Sequence, residues 1–235
     1  KFERLERMED FMKTILITGA TSGIGKACAE HFAAIGHRLI LTGRRNERLK
    51  ELKDELSARF GTACLCLNFD VRKRSEVEQQ LGGLDADWQN IDLLINNAGL
   101  AAGMDPIQSG LVEDWEQMID TNVKGLLYVS REIIPYMMKN GSGHIINIGS
   151  IAGRQTYPKG NVYCATKAAV SSLTEAMRID LNGTNIKVGQ IQPGAVNTEF
   201  STVRFHGDKE RADKVYEGFE ELTAKDIAIP PKLNN

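Results

Sequence analysis

Thr14-Ile15-Leu16-Ile17-Thr18-Gly19-Ala20-Thr21-Ser22-Gly23-Ile24-Gly25 is the stretch that decides the fold. Thr14–Thr18 is a short, apolar, β-branched run, the kind that forms a parallel strand buried on both faces. A glycine-rich turn follows at once. Lys26–Ile35 then reads as a helix, and Gly36 suits its end. Strand, glycine turn and helix in that order make a phosphate cradle. The missing side chains let the backbone approach a pyrophosphate, and the helix N-terminus adds N–H donors and the positive end of its dipole. The spacing is G-x-x-x-G-x-G, not the G-x-G-x-x-G of most dinucleotide folds. Gly19, Thr21, Ser22, Gly23, Ile24 and Gly25 are therefore the first expected cofactor contacts.

Five more β-runs follow, alternating with helical stretches. Arg38–Thr42 leads into Gly43-Arg44-Arg45 and the charged helical run Asn46–Ala58. An NAD-preferring site usually places an acid at this point, on the ribose 2′-hydroxyl. Here two arginines stand instead, and guanidinium forks suit a 2′-phosphate. The expectation is NADP(H), with Arg44 and Arg45 as discriminators; the bland alternative is two solvated arginines before a charged helix. Cys64–Phe69 ends at Asp70-Val71, expected at the adenine. Ile91–Ile95 runs into Asn96-Asn97-Ala98-Gly99, expected in the turn under the cofactor. His144–Ile148 ends at Gly149-Ser150, and Ile186–Ile191 at Gln192-Pro193-Gly194. Six strands alternating with helices predict an α/β single domain, a doubly wound parallel sheet (Rossmann fold) flanked by helices on both faces. Its ligand would lie outside the carboxyl ends of the strands.

Tyr163-Cys164-Ala165-Thr166-Lys167, with Ser150 thirteen positions upstream, supplies the chemistry. A tyrosine hydroxyl titrates near pH ~10, and a nearby lysine cation favours the phenolate and lowers that value. Residues four apart share a helix face, so Tyr163 and Lys167 can share one site. A lone YxxxK match is weak, because a solvated helix face carries the same letters.

The motifs TGxxxGxG (Gly19, Gly23, Gly25), NNAG (Asn96–Gly99), Ser150, YxxxK and PG (Pro193-Gly194) occur in the order found in the short-chain dehydrogenases/reductases. The chain resembles that family from about Thr14 to Ile227. The resemblance implies that Ser150 binds the substrate oxygen and Tyr163 is the general acid/base. It implies that Lys167 holds the nicotinamide ribose and lowers the tyrosine pKa. Asn122, in the helical stretch Val112–Met138, would hold a water linking Lys167 to solvent. Pro193, Gly194, Val196 and Thr198 would lie at the nicotinamide, with Thr198 on its carboxamide. Several stretches are similar to the NADP-dependent 3-hydroxy acid dehydrogenases, a subgroup including serine and L-allo-threonine dehydrogenases: Thr42–Leu52, Asn96–Met104, Ser150–Pro158 and Thr198–Asp208. That likeness implies hydride transfer at the β-hydroxyl or β-oxo carbon of a small 3-hydroxy acid, of the 3-hydroxypropionate/malonic semialdehyde type. A carboxylate substrate needs a cation: Arg204 is the first candidate and Arg154 the second, with Tyr157 lining the pocket. The nearest alternative is a reductase of another carbonyl class, such as acyl thioesters, sugars or diketones; a more distant one is a non-catalytic NADP-binding regulator.

Composition fits this reading. The chain has 235 residues, enough for one full core, and a formal charge of −2, which argues against a broad nucleic-acid or membrane surface. No apolar run reaches the ~18–20 residues of a membrane span, and no hydrophobic leader is visible. His31, His37, His144 and His206 are scattered without ligand spacing, so no metal is expected. Cys28, Cys64, Cys66 and Cys164 form no CxxC and suit a reducing cytoplasm.

The catalytic domain is expected over residues 12–228. Before it, Phe2, Leu5, Met8 and Phe11 recur every third position, a spacing that gives a short amphipathic helix. Such an extension packs on the body, serves a contact, or is foreign to the domain. After it, Pro230-Pro231 would stop a helix, and residues 229–235 are expected as an atypical or truncated tail, as written without the seventh edge strand usual in the family. The resemblance also implies a homo-oligomer, commonly a tetramer, built on the Val112–Met138 and Tyr163–Asn182 helices.

Overall fold

The computed structural model describes residues 12–208, 210–211 and 221–228. The expectations for residues 1–11 and 229–235 lie outside them. Six strands form one parallel sheet: β1 (Thr14–Ile17), β2 (Arg38–Gly43), β3 (Cys64–Asn68), β4 (Leu93–Asn96), β5 (Gly143–Ile148) and β6 (Ile186–Ile191). Their spatial order is β3-β2-β1-β4-β5-β6. Strand order therefore reverses between β1 and β4, and the crevice at that switch point is where a doubly wound sheet takes its ligand. The register pairs Ile15 with Leu39 on one side and with Leu93 on the other.

Both faces of the sheet are covered, as the apolar strands require. Successive β1 side chains point to opposite faces. Leu16 joins one core with Ile40, Leu94, Ile145 and Val188. Ile15 and Ile17 join the other with Leu39, Leu41, Ile95 and Ile148. The first face is covered by α3 (Arg74–Gly82), α5 (Leu126–Asn140) and α6 (Asn161–Asp180), which contribute Val77, Ile133 and Val170. The second is covered by α1 (Gly23–Ala34), α2 (Asn46–Phe60) and a terminal α8 (Ala224–Ala228), which contribute Ala29, Leu52 and Ala228. The expected doubly wound α/β architecture is present.

Two local features depart from the expectation. The stretch 112–138 is not one regular helix: α4 (Val112–Ile119) passes through a π turn (Asp120–Gly125) into α5. After β6 the chain adds β7 (Val196–Asn197), the short α7 (Glu199–Arg204) and β8 (Leu222–Thr223), with β7 and β8 paired in parallel. This small second sheet carries the segment that covers the cleft.

Candidate active site

A cleft of about 1050 Å³ opens along the carboxyl ends of all six strands. Its floor is the turn after β1. Gly25 faces that turn so closely that a Cβ there would collide with the Gly19 carbonyl oxygen and stand 2.5 Å from Asn97 Nδ2. Gly23 adopts the left-handed region (φ +50°), and a Cβ on it would come within 3.2 Å of Thr198 Cγ2. Asn97 Nδ2 donates to the carbonyls of Thr18 (2.8 Å) and Gly19 (3.2 Å). Thr18 Oγ1 accepts from the N–H groups of Asn97 (3.0 Å) and Ala98 (2.9 Å). The glycine turn and Asn97-Ala98-Gly99 are thus tied into one unit. Gly19, Thr21, Ser22, Gly23, Ile24, Asn97, Ala98 and Gly99 all line the cleft, while Gly25 packs beneath it. Asn96 points elsewhere: its Nδ2 donates to Ser130 Oγ and Asn147 Oδ1, both at 2.9 Å.

The corner after β2 carries the arginines. Arg45 donates to the Thr21 hydroxyl from Nε (3.1 Å) and Nη2 (3.0 Å), to Ser22 Oγ from Nη2 (2.8 Å), and to Glu199 Oε2 from Nη1 (2.8 Å). Arg44 lines the same corner and is exposed. The next lining residues, Asp70 and Val71, follow β3. The Asp70 carboxylate is already gripped by Arg72, whose Nη2 donates at 2.6 Å and Nε at 2.9 and 3.0 Å. Burial raises the Asp70 carboxyl, but Arg72, with Arg44 beyond it, outweighs burial and holds it below the usual range. An adenine amino group at Asp70 would therefore share an oxygen that Arg72 already holds. Across this corner no acid takes the place of a 2′-hydroxyl acceptor at the end of β2, and two guanidiniums reach it. These residues fit a 2′-phosphorylated dinucleotide.

At the other end, Ser150, Tyr163 and Lys167 converge. Ser150 ends β5 in extended backbone and its Oγ accepts from Ala152 N at 3.1 Å, which aims the hydroxyl into the cleft. It also faces the Tyr163 phenol and favours its ionised form. Tyr163 and Lys167 sit one turn apart on α6, with Lys167 Nζ 5.9 Å from the tyrosine ring centroid and donating to the Ile148 carbonyl at 2.9 Å. Burial pushes the phenol up to about 12, against the Ser150 hydroxyl, and burial pushes Lys167 down to about 8. Desolvation disfavours both charged forms.

Asn122 lies in the π turn and is 2 % exposed. Its Oδ1 accepts from Leu100 N (2.8 Å), and its Nδ2 donates to Leu100 O (2.8 Å) and Thr166 Oγ1 (3.0 Å). Both amide donors are thus spent on the fold. Gly99 separates it from Lys167: a Cβ there would stand 3.2 Å from Asn122 Oδ1 and 3.4 Å from Lys167 Nζ.

Arg204, the last residue of α7, is buried over this group. Its guanidinium carbon lies 5.9 Å from the Tyr163 ring centroid and 5.5 Å from that of Tyr157. Nη1 donates to the Tyr157 hydroxyl at 2.9 Å and Nε to the Gly103 carbonyl at 3.1 Å. Arg154 is a correction: it is exposed, caps the short turn Ile151–Gly153, and is absent from the cleft wall. Pro193, Gly194, Val196 and Thr198 line the cleft, with Thr198 Oγ1 accepting from Phe200 N at 3.2 Å to cap α7. Sequence reading missed Met104, Gln155 and Phe200 in the wall; Phe200 meets Tyr163 edge-on with ring centroids 5.7 Å apart. It also missed Glu199, whose only sequence signal was its place beside Thr198.

The profile of the family described as short chain dehydrogenase matches residues 13–209. The chain belongs to the short chain dehydrogenase family. Within it, the chain is 52% identical over 214 residues to the NADP-dependent 3-hydroxy acid dehydrogenase of Salmonella typhi, a match covering 91% of this chain and 85% of that protein. It is 44% identical over 217 residues to the NADP-dependent 3-hydroxy acid dehydrogenase of Schizosaccharomyces pombe, covering 92% and 84%. Among solved structures, the closed form of serine dehydrogenase complexed with NADP+ is similar at TM-score 0.87 and 50% identity, covering 92% of this chain and 86% of that one. In this short chain dehydrogenase, the Ser150, Tyr163 and Lys167 cluster and the arginine corner stand at the two ends of one cleft.

Proposed function

We propose that the chain is an NADP(H)-dependent oxidoreductase interconverting the β-hydroxyl and β-oxo forms of a small 3-hydroxy acid. Serine, L-allo-threonine and 3-hydroxypropionate/malonic semialdehyde are the substrate type. The observation that carries this reading is Arg204, a buried cation fixed over the Tyr163 ring by Gly103 and Tyr157. Two of its donor groups are committed, and the rest of the fork remains to take a carboxylate. A carboxylate taken there belongs to a substrate whose β-carbon oxygen meets Ser150 and Tyr163.

NADP(H), when bound, takes or supplies the hydride. The glycine turn holds its pyrophosphate, Arg44 and Arg45 its 2′-phosphate, Asp70 and Val71 its adenine. Asn97, Ala98 and Gly99 support it from below, with Pro193, Gly194, Val196 and Thr198 at the nicotinamide. Ser150 donates to the substrate oxygen. In reduction Tyr163 gives its proton to that oxygen, and its high pKa keeps the proton available. In oxidation Tyr163 takes the hydroxyl proton. The phenolate this requires is favoured by the Ser150 hydroxyl and the Arg204 charge against burial. Lys167 holds the ribose hydroxyls and passes the proton on. Asn122 fixes the π turn against Leu100 and Thr166.

No helix among the described residues is long and apolar enough to cross a membrane. The reading extends to a cytoplasmic homotetramer. Exposed Val112, Ile119 and Leu127 on the helical face from α4 to α5, and Ile179 on α6, support subunit packing there. Initial rates of NADPH formation from L-serine and 3-hydroxypropionate, in wild type and Tyr163→Phe, test the function. NADP+-dependent turnover lost in the variant is expected. Binding of NADP+ without turnover of any hydroxy acid would contradict it.

A further inference from the structure

Glu199 ties the two walls of the cleft together. It opens α7, after β6, yet its carboxylate meets two arginines that follow β2. Arg45 Nη1 approaches Oε2 at 2.8 Å, and Arg48 Nη1 approaches Oε1 at 2.8 Å and Oε2 at 3.0 Å. The remaining Arg45 contacts hold it on the glycine turn, through Thr21 and Ser22. Thr198, next to Glu199, lies against Gly23 of the same turn. The arginine that is to receive a 2′-phosphate therefore already spends Nη1 on an anion of this chain. A carboxylate offers a guanidinium the same two-oxygen acceptor geometry as a phosphate edge. Arg44, lining the same corner, makes no ion pair among the described residues.

We propose that Glu199 sets how strongly the chain prefers the 2′-phosphorylated dinucleotide, by competing with that phosphate for the guanidiniums of Arg45 and Arg48. A dinucleotide without the phosphate gains nothing from freeing those arginines and leaves Glu199 paired. The phosphorylated one takes Arg45 over, so part of the attraction it gains is offset by the ion pairs it breaks. The pairs are partly exposed, at 39% and 46% for the arginines and 49% for Glu199, so the offset is modest and salt-dependent.

The inference rests on the NADP(H) reading above. Its test is the Kd of NADP+ and of NAD+ by titration calorimetry, for wild type and Glu199→Gln, at low and high salt. Glu199→Gln keeps the side-chain size and removes the competing charge. It is expected to tighten NADP+ by on the order of threefold to tenfold at low salt while NAD+ stays within about twofold, with the gain shrinking at high salt. NADP+ binding that is unchanged or weaker, or an equal tightening of both dinucleotides, overturns the proposal while leaving wild-type preference for NADP+ intact. Wild type binding NAD+ as tightly as NADP+ overturns the cofactor reading and this proposal with it.

Discussion

Arg204 and Tyr163 face each other across the cleft end, guanidinium carbon to ring centroid 5.9 Å, with Arg204 Nη1 bonded to Tyr157 at 2.9 Å. The cation is held on an aromatic shelf beside the Tyr163 phenol. Arg204→Ala is expected to lower kcat/KM for a free 3-hydroxy acid by on the order of a hundredfold, about 3 kcal/mol of charge-assisted hydrogen bonding. Arg204→Lys should recover little, because one ammonium cannot reach Gly103, Tyr157 and a carboxylate together. Turnover of a neutral secondary alcohol serves as the comparison. Equal losses on acid and alcohol would reduce Arg204 to a packing residue.

Asn122 satisfies both main-chain groups of Leu100 inside the core. Asn122→Ala leaves a buried N–H and a buried carbonyl unpaired, at about 1–3 kcal/mol each. A urea midpoint lowered accordingly is expected, at unchanged m-value. A variant as stable as wild type would show that water replaces the amide freely.

Lys167 links pH to stability. Its folded pKa of about 8 lies below the unfolded value of ~10.4, so between those pH values the unfolded chain binds more protons. Stability from this group is lowest below pH 8 and rises as pH climbs through the window, by about 3 kcal/mol in all. Tyr163 acts oppositely above pH 10, where its raised pKa makes the folded state hold the extra proton. Lys167→Met removes the first effect. Urea unfolding from pH 7 to 10 should show the variant more stable relative to wild type at pH 7, with the advantage disappearing toward pH 10. A pH-independent difference would mean that Lys167 titrates normally.

Gly25 admits no side chain, because the Gly19 carbonyl and Asn97 Nδ2 occupy the space of a Cβ. Gly25→Ala is expected to lower stability by about 1–3 kcal/mol and to weaken NADP+ at least tenfold by lifting the glycine turn from Asn97. Circular dichroism melts and cofactor titration read the two effects. A variant with wild-type affinity would remove this contact from the account.

The central strands were legible because each is a short apolar run buried on both faces, as at Thr14–Ile17; the edge strand Ile186–Ile191, with Lys187 exposed, was legible from its β-run between helical stretches. The glycine turn and the Tyr163–Lys167 spacing were legible because they are local. The π turn at Asp120–Gly125 was not, since one shifted hydrogen bond leaves the apolar period of the helix almost unaltered. Arg204 and Arg154 both stood as carboxylate-binding candidates in sequence, in that order. Only the path of the chain turns one to solvent and buries the other over Tyr163. The sequence shows the charge beside Tyr163 but not the depth of burial that pushes its phenol up. Glu199 was hidden because its partners lie about 150 positions away.

The most direct test of the account compares one 3-hydroxy acid with its methyl ester, as initial rates of NADPH formation at mildly alkaline pH. The ester lacks the charge that Arg204 is proposed to bind and adds only one methyl group. The account predicts that kcat/KM for the free acid exceeds that for the ester by on the order of a hundredfold, and that this ratio collapses toward one in Arg204→Ala. An ester turned over as well as the acid by the wild type would leave the tyrosine chemistry standing and contradict the acid specificity.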